Sequence, residues 1–199
     1  MRILRNTILF AFTLFTLLTS CKREYSPKPK GYNRFDLPEH AYQALPDTLP
    51  YTFEFSQHAR LLKDTSSVSD PTWVEIYYPD LKADVHITYK VILNPDSLKE
   101  YLDDSYFLTA KHQIKAYAID ETIAKTPNGK TVVYAELDGQ VPSQFQFFTT
   151  DSTHNFLRGA LYFNTQVQND SLMPAIEYVK VDIVNMMNTL RWRSDGLKN

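Results

Sequence analysis

The chain has 199 residues, 43% of them hydrophobic and 14% aromatic, with a single cysteine and a formal net charge of −2. Thirteen tyrosines and twelve phenylalanines can build the core of one domain, and one cysteine excludes an internal disulfide. From residue 35 onward 22 acidic side chains face 14 basic ones, a balance of −8, which argues against a nucleic-acid partner because such a partner needs a basic footprint.

Residues 1–20 have the pattern of a secretory signal. Arg2 and Arg5 precede an uncharged apolar run of 11 residues, Ile8 to Leu18, short of the roughly 20 needed to span a bilayer. Leu18-Thr19-Ser20-Cys21 is similar to a bacterial lipobox. That resemblance implies cleavage before Cys21, a diacylglycerol on its thiol and an acyl chain such as palmitate on the new amino group. One chain holds a protein marginally and two anchor it, each buried CH₂ being worth about 0.8 kcal/mol. An ordinary signal with an incidental cysteine is the alternative. Apart from this covalent lipid, no cofactor is expected.

Residues 21–50 read as a lipidated, Pro-rich tether. Pro27, Pro29, Pro38, Pro46 and Pro50 interrupt regular structure, and the first part is extended and partly polyproline-like. Fully extended it would reach up to about 90 Å. Residues 22–34 carry five cations against Glu24 alone, +4, which suits either an anionic bilayer surface or a solvated linker. Phe35, Leu37, Tyr42 and Leu45 suggest that the second half lies along the following domain.

Residues 51–193 read as a single α+β domain, and 194–199 as a polar tail. Tyr51 to Phe55 alternates as one half-buried strand, and a polar loop with Asp64-Thr65-Ser66-Ser67 follows. Trp73 to Tyr78 is the next strand, stopped by Pro79. In Asp84 to Val91, Val85, Ile87, Tyr89 and Val91 face in, while Asp84, His86, Thr88 and Lys90 face out; one wet face suggests an antiparallel sheet. Asn94-Pro95-Asp96 starts a short helix to about Leu108, with a cap, a proline in the first turn and an acid at the positive end of the dipole. Its apolar stripe is Leu98, Tyr101 and Leu102. Strands at His112–Thr122, Lys130–Leu137, Ser143–Thr149 and Asn155–Asn164 form a meander turned at Asn128-Gly129, Asp138-Gly139 and Thr150–Thr153. Asp170 or Ser171 caps a last helix, along which Leu172, Ile176, Val179, Ile183, Met186 and Leu190 make one apolar face. This helix packs across the sheet, with Trp192 closing its end.

No strong catalytic pattern stands out. His40, His58, His86, His112 and His154 have no metal-ligand spacing, though Asp84 and His86 share a strand face. Asp151, Ser152 and His154 crowd one turn without a nucleophile elbow, which favours a turn held by Asp151. Asp103-Asp104 reads as a solvated helix face. In Gln144-Phe145-Gln146-Phe147-Phe148, Phe145 and Phe147 share one face, and Gln144, Gln146 and Phe148 the other. This is a core strand with a polar outer row, or a partner-binding strand with exposed aromatics.

Several stretches, in order, resemble one family. They are Pro27-Lys28-Pro29-Lys30-Gly31-Tyr32 with Arg34, Tyr77-Tyr78-Pro79 with Leu81, Leu108-Thr109 with Lys111-His112, Ser143-Gln144 with Gln146-Phe147, Phe156 to Phe163, and Asp170-Ser171-Leu172 with Pro174 and Leu190-Arg191-Trp192. These resemble the gliding-motility-associated lipoprotein GldD family of Bacteroidota, over essentially the whole chain after Cys21. The resemblance implies a non-enzymatic envelope lipoprotein that works with other gliding and type IX secretion proteins. It implies no catalytic residue and transfers only Cys21. Without a dense acidic run after Cys21, the periplasmic side of the outer membrane is the expected site, the inner membrane the alternative. The rival function is an envelope small-ligand carrier or a hydrolase-like enzyme with its own pocket. In element order the chain is also similar to the Mog1/PsbP-like fold.

Overall fold

A computed structural model describes residues 34–64, 70–164 and 169–193, with side chains in the last segment from 171 onward. The leader, Cys21, the first half of the tether, most of the polar loop after Asp64 and the tail after Arg193 lie outside the described residues.

The described residues open with three short strands, β1 (Tyr42–Ala44), β2 (Tyr51–Thr52) and β3 (Glu54–Ser56). Then come β4 (Arg60–Lys63), β5 (Val74–Tyr78) and β6 (Ala83–Val91), helix α1 (Pro95–Ala110) and a 3₁₀ turn (Lys111–Ile114). A meander of β7 (Ala116–Lys125), β8 (Thr131–Gly139), β9 (Ser143–Thr150) and β10 (Asn155–Phe163) leads to helix α2 (Asn169–Thr189) and β11 (Arg191–Trp192). The main sheet is seven-stranded, in the order β4-β5-β6-β10-β9-β8-β7, with every pairing antiparallel. The fold is α+β.

Alternation along the strands builds the core. Val74, Ile76, Val85, Ile87, Phe145, Phe147, Leu157 and Leu161 are buried with Leu172, Ile176, Val179, Ile183, Met186 and Leu190 of α2 in one cluster. The expected apolar stripe of α2 is therefore the face it buries. Burying each such side chain is worth about 1.5–3 kcal/mol. Gly159 sits opposite Phe147 in the ladder, and a Cβ there would lie 2.1 Å from the Phe147 ring; the glycine lets that ring lie flat on β10.

Helix α1 begins as expected. Asn94 accepts from the Ser97 backbone N–H, and the Ser97 hydroxyl accepts from the Asn94 N–H, so two orphan donors are satisfied reciprocally. The helix runs to Ala110. Tyr101 and Tyr106 rest against Phe156 and Phe148, with ring centroids 5.5 Å apart in both pairs. Leu98, Tyr101 and Leu102 are only half-buried, while Ser105 and Thr109 are the buried positions of the helix.

Several expectations are corrected. Tyr51, Phe53 and Phe55 do all face the core, but the stretch splits, because β2 pairs with β11 and β3 pairs with β1. Upstream of residue 51, Leu45 and Leu49 are part of the core. The stretch from His112 starts as a 3₁₀ turn before β7. Asp138-Gly139 is not a two-residue turn: Gly139, at φ +117°, ends β8 beside a bulge in β7, where a Cβ would meet the Lys115 carbonyl oxygen at 2.6 Å. Val91 is exposed where β6 leaves the sheet. Asp84 is on the outer face as expected, yet buried, because Asn164 covers it and donates to its carboxylate. Helix α2 starts at Asn169, ahead of both expected caps.

Candidate functional site

Two groups of buried polar side chains lie on opposite faces of the sheet. On the α2 face, Asp182 is completely buried, within the apolar stripe it interrupts. Its Oδ1 lies 2.6 Å from Nδ1 of His40, and its Oδ2 accepts from the Tyr78 hydroxyl at 3.0 Å. The Tyr42 hydroxyl also bonds to it; burial first, then this carboxylate, pushes the Tyr42 phenol up to about 12. Burial and then Asp182 likewise hold Tyr78 well above the ordinary phenol value. Tyr178 stacks on His40 at 4.3 Å between centroids. A carboxylate out of water needs donors on both oxygens, and here three come from beyond its own helix. The arrangement clasps residues 40–42, the inbound end of the chain, to α2.

On the α1 face, Arg158 of β10 reaches under the helix. Its Nη2 donates to Gln146 Oε1 at 2.6 Å, and Thr109 Oγ1 lies 3.1 Å from the same oxygen. Gln146 Nε2 is buried without a hydrogen-bond partner. Burial lowers the Arg158 guanidinium below its ordinary value, against the attraction of Tyr162 and Asp104. Outward from Arg158 opens a cleft of about 430 Å³, lined by Leu108, Lys111, His112, Ile114, Lys115, Pro142, Arg158 and Tyr162. Burial and then Arg158 lower the His112 pKa, so its ring is neutral at pH 7. Among the described residues, no carboxylate oxygen lies within 4 Å of a charged nitrogen of Lys111, Lys115 or Arg158.

The residues singled out in the sequence fall elsewhere. Strand β9 lies inside the sheet, between β10 and β8, not at an edge. Gln144, Phe145, Gln146 and Phe147 are buried, and Phe148 is half-buried against Phe156. The exposed aromatics that a partner-binding strand needs are therefore not on this surface. His86 and Glu75 pair across β6 and β5 at 3.9 Å, and among the described residues no three His, Cys, Asp or Glu side chains converge as a metal site would require. Asp151 accepts from the backbone N–H groups of Thr153, His154 and Asn155 and from the Asn155 side chain. Burial would raise its pKa, but these donors outweigh it and hold the carboxyl at about 2. Asp103 and Asp104 are engaged by Lys99 and Lys90 at 2.8 and 3.8 Å.

Asp182 and Arg158 escaped the sequence reading, although each left a trace. Asp182 falls between Val179 and Met186 at core spacing, and Arg158 is the lone charge in Phe156 to Phe163. A charge at a core-facing position signals a buried polar contact.

The protein is an α+β domain whose main antiparallel sheet carries a helix on each face. The chain belongs to the gliding motility lipoprotein GldD family, whose profile matches residues 22–192. It is thus a lipoprotein of a gliding motility system, a lipid-anchored protein of the cell envelope; among the described residues no helix is long and apolar enough to cross a membrane. A similar solved structure is the solution structure of cyanobacterial PsbP (CyanoP) from Synechocystis sp. PCC 6803. It is 10% identical, covers 80% of this chain and 97% of its own, and has a TM-score of 0.46. No curated protein matches the chain.

Proposed function

We propose that Cys21 is the lipid-bearing residue, with a diacylglycerol on its thiol and an acyl chain such as palmitate on its amino group after removal of residues 1–20. Residues 21–50 then lead from the membrane to the domain. The domain acts without enzymatic turnover, by docking onto other envelope proteins of the gliding and type IX secretion apparatus, at the periplasmic side of the outer membrane. The observation that carries this reading is continuity: the family match begins at residue 22, directly after the lipobox-like cysteine. The His40–Asp182 clasp supports it, because it ties the membrane-proximal chain to the longest helix and so passes tension into the core.

The test is Cys21→Ala in cells, followed by fractionation and labelling with a palmitate analogue. Label on the parent, and its loss together with loss of the protein from the membrane pellet in the variant, is the expected result; an unlabelled parent refutes the anchor. In-cell crosslinking of the tagged parent tests docking separately. Recovery of a gliding or secretion component is expected, and recovery of a small molecule or glycan alone would refute the docking role.

A further inference from the structure

The segment from the end of α1 to the start of β7 differs in character from the rest of the domain. Phe107 is 60% exposed and Ile114 is 92% exposed, with Leu108 partly exposed beside them. Lys111 and Lys115 alternate with these residues, and no acidic residue occurs between Tyr106 and Tyr117. The surrounding chain, from residue 35 on, carries −8. The Lys111 ammonium lies over the Phe107 ring at 4.5 Å. Leu108, Lys111, Ile114 and Lys115 form the rim of the cleft whose inner wall is Arg158. Of the acids on this side, Asp104 lies 3.8 Å from Lys90, Asp84, the cross-strand partner of Tyr162, accepts from Asn164, and Glu121 lines a small cavity together with Arg158.

We propose that this face is a second membrane contact that docks on an anionic phospholipid surface. Ile114, Leu108 and Phe107 enter the boundary between headgroups and acyl chains, Lys111 and Lys115 meet the lipid phosphates at the surface, and the cleft lined by Arg158 admits one headgroup.

The choice of occupant rests on charge and on the mixture of side chains. Alternating lysines and large apolar groups suit an interface that is anionic outside and apolar a few ångströms deeper. Lysine stems lie along apolar surface while their ammonium groups remain in the wet layer. An acidic protein would complement the cations but would give the almost fully exposed Ile114 no layer to enter. Arg158, whose side chain donates to the neutral Gln146 among the described residues, offers its remaining guanidinium N–H groups to a phosphate, which it can hold in fork geometry. Anchored at two points, the domain would lie against the bilayer instead of swinging at the full length of its tether.

The inference is independent of acylation at Cys21, and its test is made without the lipid. The chain from residue 22 onward, which carries every described residue and the whole described core, is sedimented with vesicles. One set contains phosphatidylglycerol in phosphatidylcholine, the other phosphatidylcholine alone. Binding to the anionic set only is expected. Lys111→Glu with Lys115→Glu should weaken it about thirtyfold or more, whereas Arg60→Glu with Lys63→Glu, on the opposite sheet edge, should change it less than about threefold. The basic tether is common to every variant, so the difference isolates the face. In Ile114→Trp, a substitution at a solvent-exposed site, the new indole should shift to the blue on anionic vesicles and be quenched by brominated lipid. Equal losses from the two charge reversals, absence of binding, or an indole that vesicles leave unshifted would overturn the proposal. Inorganic phosphate that abolishes binding with the indole unshifted would assign the cleft to a soluble anion instead.

Discussion

Replacing Asp182 by alanine should loosen the clasp between the inbound chain and α2, and the cost can be worked from its three partners. Tyr78 is 2% exposed, so its hydroxyl loses its acceptor with no water to replace it, which costs about 1–3 kcal/mol. The Tyr42 and His40 side chains are half-exposed and regain water, so each adds only a few tenths to about 1 kcal/mol. The sum is about 2–5 kcal/mol, against a typical total stability of about 5–15 kcal/mol. In a domain of this size that lowers the melting temperature by roughly 4–20 °C. His40→Ala leaves two phenol donors on the carboxylate and should cost less, about 1–2 kcal/mol. Urea unfolding followed by circular dichroism measures both, and the double variant gives a coupling energy of about 1 kcal/mol or more. Hydrogen exchange should show the amides of β1 losing protection in His40→Ala while those of β9 keep theirs. A loss below about 0.5 kcal/mol in Asp182→Ala, or strict additivity of the two changes, would refute the reasoning.

Three further outcomes follow from the same structure. Gly159→Ala drives a methyl into the buried Phe147 ring, 2.1 Å away; displacing a ring locked in the core should cost about 1–3 kcal/mol, read from the urea midpoint. Asp151, held at about 2 in the fold, binds its proton more weakly than in the unfolded chain. Its contribution is therefore present above the ordinary carboxylate value near 3.9 and lost as pH falls toward 2. Discounted for its partial exposure it amounts to about 1 kcal/mol, and Asp151→Ala should flatten acid unfolding by that much. For Tyr42 and Tyr134, both raised to about 12, burial being the first cause, the sign reverses. Their contribution is full below about pH 10 and lost as pH climbs toward 12, so the urea midpoint should fall between about pH 10 and about pH 12, and absorbance at alkaline pH should show phenolate forming together with unfolding.

The fold was legible where periodicity met burial on one face. Tyr51, Phe53 and Phe55 point inward because alternation requires it, and the α2 stripe from Leu172 to Leu190 is the surface that covers the sheet. What alternation does not carry is partner choice. Nothing in Tyr51 to Phe55 announces that the chain changes partners at Phe53, because that depends on β1 and β11, the latter pairing Trp192 with Tyr51 from 141 positions away. Asp138-Gly139 misled for a related reason. A glycine at positive φ was required, but for a bulge against β7, and turn chemistry and bulge chemistry draw on the same residue. In α1 the expectation chose the apolar positions, whereas the sheet beneath offers Gln146 and Arg158, so the helix buries Ser105 and Thr109 instead.

That inversion on the α1 face explains why the candidate site was hidden. Sequence reading ranks an exposed aromatic strand above a polar one, and so it fastened on Gln144 to Phe148; yet β9 has neighbours on both sides and a helix over each face. Among the exposed apolar groups are Phe107 and Ile114, at the seam where α1 ends in a 3₁₀ turn, and their lysine neighbours look like ordinary solvated charges until the fold brings Arg158 up behind them. Arg158 reaches that seam because β10 is central in the sheet and its outward register places residue 158 opposite Phe148, under the last turn of α1. The cleft thus joins residues about 45 positions apart through strand register, which periodicity cannot supply. Its chemistry, three cations that have no carboxylate partner among the described residues and lie beside an apolar rim, exists only in the assembled domain.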